Sequence, residues 1–288
     1  MVDSNRLTEQ GSHRAVTLDG VTLHLAHPDD LPVRWVGQKE LMRQLLAAWM
    51  VVDERDLPMN PRLLGKPGVG KTTLAYAAAR EIGREAYIYQ ATMDTRPEDL
   101  LISPVISGAG QLRYVASPLV SAMIRGGVCI LDEGNRMSEK SWASLAPLLD
   151  TRRYVESIVA GIKVKAHADF RMVATMNDDA STFEIPEYIH SRLQPQITID
   201  FPERDEERRI LEENLPFANA RILDYVTDFL QKAHDADERY TARDGINVAR
   251  FAMKLADGAG SAKELPAALR SSVLQTLGED AVRYLPRG

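Results

Sequence analysis

The chain has 288 residues, 44% hydrophobic and 26% charged, with a formal net charge of −6. That is core enough for about two domains, and the acidic balance argues against a non-specific nucleic-acid binder, which as a rule is basic. No run of about 18 apolar residues is present, which excludes an ordinary membrane-spanning helix. The single cysteine, Cys129, cannot form an intrachain disulfide, and Met1 to Asn5 lacks the charged-then-apolar pattern of a signal peptide, so the expected compartment is reducing and cytoplasmic.

Residues 1 to 14 are polar. Val16, Leu18, Val21, Leu23 and Leu25 then alternate around Asp19-Gly20, a hairpin signal, expected to be a small structural annex. Residues 1–32 are therefore read as an N-terminal extension. Lys39 to Trp49 repeats apolar residues at three and four and predicts an amphipathic helix. Val36-Gly37 just before it is a candidate contact for an adenine.

Residues 61 to 73 organise everything that follows. Gly65-Lys66-Pro67-Gly68-Val69-Gly70-Lys71-Thr72 is a full G-x-x-x-x-G-K-[ST] phosphate loop, continued by Thr73. Leu63-Leu64 ends an apolar strand, and Leu74 to Ala79 continues a helix, so a phosphate would sit at a helix N-terminus. Backbone N–H groups of such a loop converge on phosphate. Lys71 would reach the β- and γ-phosphates, and the Thr72 hydroxyl would ligate Mg²⁺.

Ala86 to Ala91 is a second strand. A helix starting at Arg96 is interrupted at Ser103 to Gly110 by a proline and two glycines and resumes at Pro118, which reads as an inserted loop. Gly127 to Leu131 is a buried strand with Asp132 and Glu133 at its tip, where ligands of parallel α/β sheets collect. Asp132 would hold Mg²⁺ directly or through water, and Glu133 would orient and deprotonate an attacking water. Ser138 to Leu149 reads as a helix capped by Ser138. Tyr154 to Ala166 reads as a hairpin around Ala160-Gly161, with Lys163 and Lys165 on one face. Phe170 to Met176 is another buried strand, and Asn177 at its end could position water beside the carboxylates. A short helix ends at Arg192, and Gln196 to Phe201 is the last strand. Residues 33–202 thus read as an α/β nucleotide-binding core. From 203 to 288 only helical patterns follow, at 203–215, 220–236, 246–256 and 263–277, which reads as a helical lid. The six histidines are scattered without metal-ligand spacing.

These motifs resemble those of the AAA+ ATPases, specifically the MoxR branch with its CbbQ and NorQ relatives, over roughly residues 33 to 260. Gly65–Thr72 is similar to Walker A and Val128–Glu133 to Walker B. The continuation Gly134-Asn135-Arg136-Met137 looks like the Asp-Glu-Ile-Asn-Arg-Ala run of MoxR proteins, with Gly134 departing from the usual apolar residue. Asn177 matches sensor 1 and Arg192 the arginine-finger position. Thr241-Ala242-Arg243 is similar to the start of the sensor 2 helix, which leaves Arg243 and, more weakly, Arg250 as sensor 2 candidates. The stretches at 103–117 and 153–167 fall where this branch carries its two insertions.

The resemblance implies an AAA+ core of parallel sheet and helices with a helical lid. It implies a ring, commonly a hexamer, with ATP and Mg²⁺ at subunit interfaces and Arg192 reaching a neighbour's γ-phosphate. Glu133, Asn177, Arg192, Arg243 and Lys71 would carry hydrolysis. The implied partners are further copies of the chain, a client protein to be remodelled or matured, and a separate von Willebrand A domain protein. Two rivals remain: a DNA-directed motor or loader, which a basic pore of Lys163, Lys165 and Arg113 would favour, and a nucleotide-gated scaffold with little hydrolysis.

Overall fold

The computed structural model describes residues 15–106, 108, 110–178, 184–257 and 265–286. The polar stretch 1–14 with His13, two positions of the inserted stretch (Ser107 and Ala109) and the first two residues of the last expected helix (Lys263 and Glu264) lie outside them.

The described chain forms two compact units. The first comprises residues up to Val33, Met42–Leu64 and Thr72–Thr198. At its centre is a five-stranded parallel sheet of β3 (Arg62–Gly65), β4 (Ala86–Gln90), β7 (Val128–Asp132), β10 (Arg171–Asn177) and β11 (Gln196–Thr198), in the order β11-β3-β10-β7-β4. β10 runs parallel to β7 with Ala174 opposite Leu131, and β4 parallel to β7 with Gln90 opposite Asp132. The strands are nearly continuous apolar runs because helices cover a parallel sheet on both faces. Those helices are α1 (Lys39–Trp49), α2 (Lys71–Glu81), α3 (Pro97–Leu100), α4 (Pro118–Arg125), α5 (Glu139–Leu145) and α6 (Glu187–His190). Trp49 closes α1 fully buried, its indole N–H donating to the Met172 carbonyl at 2.9 Å. Val128, Cys129, Ile130 and Leu131 are all buried, each such aliphatic side chain worth about 1.5–3 kcal/mol.

The stretch read as an inserted loop is a β-hairpin. β5 (Ile102–Ile106) pairs antiparallel with β6 (Leu112–Ala116). β6 also pairs parallel with β2 (Val21–His24), which pairs antiparallel with β1 (Ala15–Leu18) around Asp19-Gly20. The expected annex and the insertion are thus one sheet, ordered β1-β2-β6-β5. Pro104 broke the helical pattern but is tolerated here because β5 is an edge strand, where a missing N–H costs no ladder bond. Ser117 then caps α4, its hydroxyl accepting the Val120 N–H, with Pro118 at the first helical position.

The helix expected over 138–149 is shorter. Ser138 does cap it, accepting the Ser141 N–H. The helix ends at Leu145, since Pro147 has no N–H with which to continue the hydrogen-bond ladder. The last strand stops at Thr198 rather than Phe201. The second hairpin, β8 (Tyr154–Ser157) with β9 (Ile162–Lys165), forms its own two-stranded sheet, with Lys163 and Lys165 both exposed.

The second unit comprises Arg34–Leu41, Gly65–Lys71 and residues 199–288. Its helices are α7 (Arg204–Asn214), α8 (Ala220–Asp235), α9 (Ala242–Asp257) and α10 (Leu265–Leu277). They bury Leu211, Leu223, Val226, Phe229, Leu230, Val248 and Leu269 in a separate core. Asn219 caps α8, accepting from the Arg221 and Ile222 N–H groups. The Ser272 hydroxyl donates to the Val248 carbonyl at 2.7 Å and ties α10 to α9. Among the described residues, no helix is long and apolar enough to cross a membrane.

Candidate nucleotide-binding and hydrolysis site

The phosphate loop packs with the helical unit. Gly68 and Gly70 hold φ of +86° and +97°, values that only glycine adopts without strain. There is no room for side chains behind the loop. A Cβ on Gly68 would meet the Thr241 hydroxyl at 2.6 Å, and one on Gly70 the Trp35 ring at 3.1 Å. α2 begins at Lys71, and the first N–H groups of a helix have no partner within it. Lys71 is buried, its ammonium donating to the Gly65 and Lys66 carbonyls at 2.8 and 2.9 Å. The neighbouring Lys66 pairs with Asp237 at 3.0 Å and lies 4.7 Å from the Phe201 ring centroid. Pro67 and Val69 complete the loop, and Thr73 follows in α2.

Val36 and Gly37 precede α1. A Cβ on Gly37 would meet the Glu206 carboxylate at 2.8 Å, and Glu206 also accepts the Gln38 N–H at 2.9 Å. Just before α9, the Thr241 N–H and hydroxyl both donate to the Asp244 carboxylate. Arg243 and Arg250 on that helix are exposed.

In the first unit, the C-terminal ends of β7 and β10 build a polar cluster. Carrying their parallel register one step past Ala174 and Leu131 sets Thr175 beside Asp132. The Thr72 hydroxyl donates to Asp132 Oδ1 at 2.7 Å, and the Thr175 hydroxyl donates to the same oxygen. Thr175 Oγ1 also accepts the Glu133 N–H at 3.0 Å. Glu133 sits in the left-handed region at φ +55°, a backbone that surrounding contacts must hold. Its Oε1 accepts from Asn177 Nδ2 at 3.2 Å, and its Oε2 lies 2.6 Å from Arg136 Nε. Asn135, buried, donates to the Asn177 carbonyl at 2.8 Å and accepts the Asn177 N–H at 3.3 Å. Gly134 is glycine because the Trp142 ring lies 3.2 Å from where its Cβ would be.

Thr72, Asp132, Glu133 and Asn177 are therefore neighbours, although up to 105 positions separate them in the chain. Thr72 and Asp132 supply two adjacent hard oxygen donors, the kind Mg²⁺ takes together with water and phosphate oxygens. Among the described residues, no group of three or more His, Cys, Asp or Glu could form an all-protein metal cage.

Arg192 lies elsewhere in the first unit. Its Nη1 donates to the Tyr188 carbonyl at 2.5 Å, and its Nε lies 3.7 Å from Asp150. Arg152 also binds Asp150, and this pairing holds the Asp150 carboxyl down at about 2.

Sequence reasoning missed Thr175, Asn135 and Arg136 as members of the cluster. Thr175 was legible in principle, since it lies two residues before Asn177 on the same strand face.

Residues 62–193 match the family described as AAA domain (dynein-related subfamily). An uncharacterized protein of Staphylococcus aureus (strain NCTC 8325 / PS 47) is 25% identical over 179 residues, covering 60% of this chain and 68% of its own. Among solved structures, the Thermotoga maritima RuvB Holliday junction branch migration motor superposes with a TM-score of 0.59 at 15% identity, covering 85% of this chain and 72% of that one. A putative ATPase from Cytophaga hutchinsonii superposes with a TM-score of 0.51 at 17% identity, covering 81% and 80%. These likenesses show the fold, an AAA+ P-loop α/β architecture.

Proposed function

We propose that this chain is a MoxR-type AAA+ ATPase that couples ATP hydrolysis to remodelling or maturing a client protein. The observation that carries the hydrolytic reading is Glu133, its carboxylate held by Asn177 beside the Thr72–Asp132 pair. In this reading the Gly65–Thr73 loop, with Lys71, grips the phosphates. Thr72 and Asp132 hold Mg²⁺, which when bound neutralises phosphate charge. Asn177 places a water against Glu133, and Glu133 takes its proton. Val36-Gly37 receives the base, and Arg192 completes a neighbouring subunit's site in a ring, commonly of six. Residues 203–288, carrying Arg243 on α9, act as the lid.

The client-remodelling part rests on the resemblance to the MoxR branch and on the two inserted hairpins. Their tips expose apolar side chains: Ile158 is 93% exposed, Ile106 75% and Leu112 58%. Apolar surface of that kind suits a protein partner. A separate von Willebrand A domain protein is the companion this reading expects. The nucleic-acid alternative draws on Lys163 and Lys165, but Lys163 lies 4.4 Å over the Tyr154 ring, engaged within its own hairpin.

Steady-state hydrolysis and nucleotide binding on the full chain test the reading. Glu133→Gln should bind ATP yet lose about a hundredfold or more in turnover, and normal turnover would remove Glu133 from the role of base. Lys71→Ala should lose nucleotide affinity, and an unchanged Kd would sink the loop assignment. Specific activity should rise with protein concentration to a plateau, because a neighbour supplies Arg192. Full activity in a monomer shown by light scattering would remove the trans role.

A further inference from the structure

The residues just after Glu133 form a single 3₁₀ turn, Gly134–Arg136. Glu133 stands just before the turn in the left-handed region. The Arg136 N–H donates to the Glu133 carbonyl at 2.9 Å, and the Arg136 guanidinium meets the Glu133 carboxylate. The contact of 2.6 Å from Nε to Oε2 lacks the alignment of a hydrogen bond, so it is a charge contact. Asn177 engages the other oxygen. The two oxygens are therefore held from opposite directions, one from the neighbouring strand and one from the turn.

We infer that Arg136 is a positioning residue for hydrolysis, fixing the rotamer of Glu133 through its second carboxylate oxygen. This rests on the reading of Glu133 as the base. Three features of the turn serve the same placement. Gly134 lets the turn lie flat on Trp142, Asn135 ties it to the backbone of Asn177, and Arg136 clamps the carboxylate. Asn177 alone leaves Oε2 unheld, and a carboxylate with one hydrogen bond rotates about its terminal torsion, which is a broad well. A base displaced by about 1 Å loses up to roughly a hundredfold in rate.

Arg136 and Glu133 are both about one-third exposed, 34% and 30%, so their pairing contributes little to stability. The role can therefore be separated from folding. The test compares wild type, Arg136→Ala, Arg136→Lys and Glu133→Gln by kcat, KM for ATP, Kd for a fluorescent ADP analogue, and melting temperature. Arg136→Ala should lower kcat tenfold or more, with KM and Kd within about twofold and melting unchanged. Arg136→Lys, which keeps the charge, should recover part of the loss. The double variant Glu133→Gln/Arg136→Ala should be no worse than Glu133→Gln, since both act through one group.

An Arg136→Ala kcat equal to wild type, while Glu133→Gln is inactive, would overturn this inference and leave the base assignment standing. Equal losses in kcat and Kd, or a lowered melting temperature that Arg136→Lys does not restore, would likewise overturn it in favour of a structural role. Normal turnover by Glu133→Gln would overturn both.

Discussion

The strand edge of the first unit and the helical interior of the second each hold a glutamate whose surroundings could not differ more. Glu133 is partly exposed, and both of its oxygens are met, by an amide and a guanidinium. Glu207, on α7, is fully buried. Its Oε2 accepts from Gln231 at 2.7 Å, and its Oε1 has no hydrogen-bond partner. His234 lies 3.8 Å away, stacked 3.7 Å from the Phe201 ring, its Nδ1 also unpaired. Burial pushes the Glu207 carboxyl up to about 7, the Gln231 hydrogen bond opposing it, while burial pushes the His234 imidazole down. Side-chain type decides little here. A carboxylate enclosed by helices, as Glu207 is, is best accommodated neutral.

The largest effect that would break this contrast is in the pH dependence of stability. Glu207 has a folded pKa of about 7 against an ordinary 4.5, so its contribution is fully present below pH 4.5 and is lost as pH rises to about 7. That loss is roughly 3 kcal/mol. The lowered pKa of His234 acts in the opposite sense, its contribution present above the ordinary 6.5 and lost as pH falls below it. Glu207→Gln keeps the His234 effect and removes the Glu207 one. Urea unfolding at pH 5 and pH 8 should show the variant gaining on wild type by roughly 3 kcal/mol across that interval. A constant difference would mean that Glu207 is ionised when folded and that the two glutamates are alike.

Thr175→Val comes next. It removes the hydroxyl that joins Asp132 to the Glu133 N–H while keeping the strand's shape. Turnover should fall about tenfold, with ADP affinity, set by the Lys71 loop, almost unchanged. An equal fall in both would place Thr175 in binding and blur the division of labour. The smallest effect sharpens the contrast from the helical side. Asn219→Ala removes the α8 cap and should cost about 1 kcal/mol of stability with no change in kcat, both read from the same preparations.

The phosphate loop, the Asp132–Glu133 pair and Asn177 were legible because each combines a local motif with an apolar strand. Parallel packing then makes them neighbours with little further choice. Ser138 as a cap was legible for the same local reason. The β5–β6 hairpin was not, because its supporting strand, β2, lies about ninety positions earlier and no window contains both. Gly134 was equally opaque: its reason is the Trp142 ring, brought in by the next helix. Arg136 was visible only as part of the run after Glu133 that resembles other sequences, and no role followed from that, because its contact with the Glu133 carboxylate exists only in the folded chain.

The pairing of β2 with β6 also sets an order of assembly. Leu23 faces Tyr114 and His24 faces Val115, so β1 and β2 cannot complete their sheet until the chain has grown past Ala116. At about 5–20 residues per second, that interval is roughly 5–20 s. Leu23, wholly enclosed in the finished protein, is exposed on the nascent chain throughout. The β1–β2 hairpin is thus a stretch with reason to engage a holding chaperone during translation.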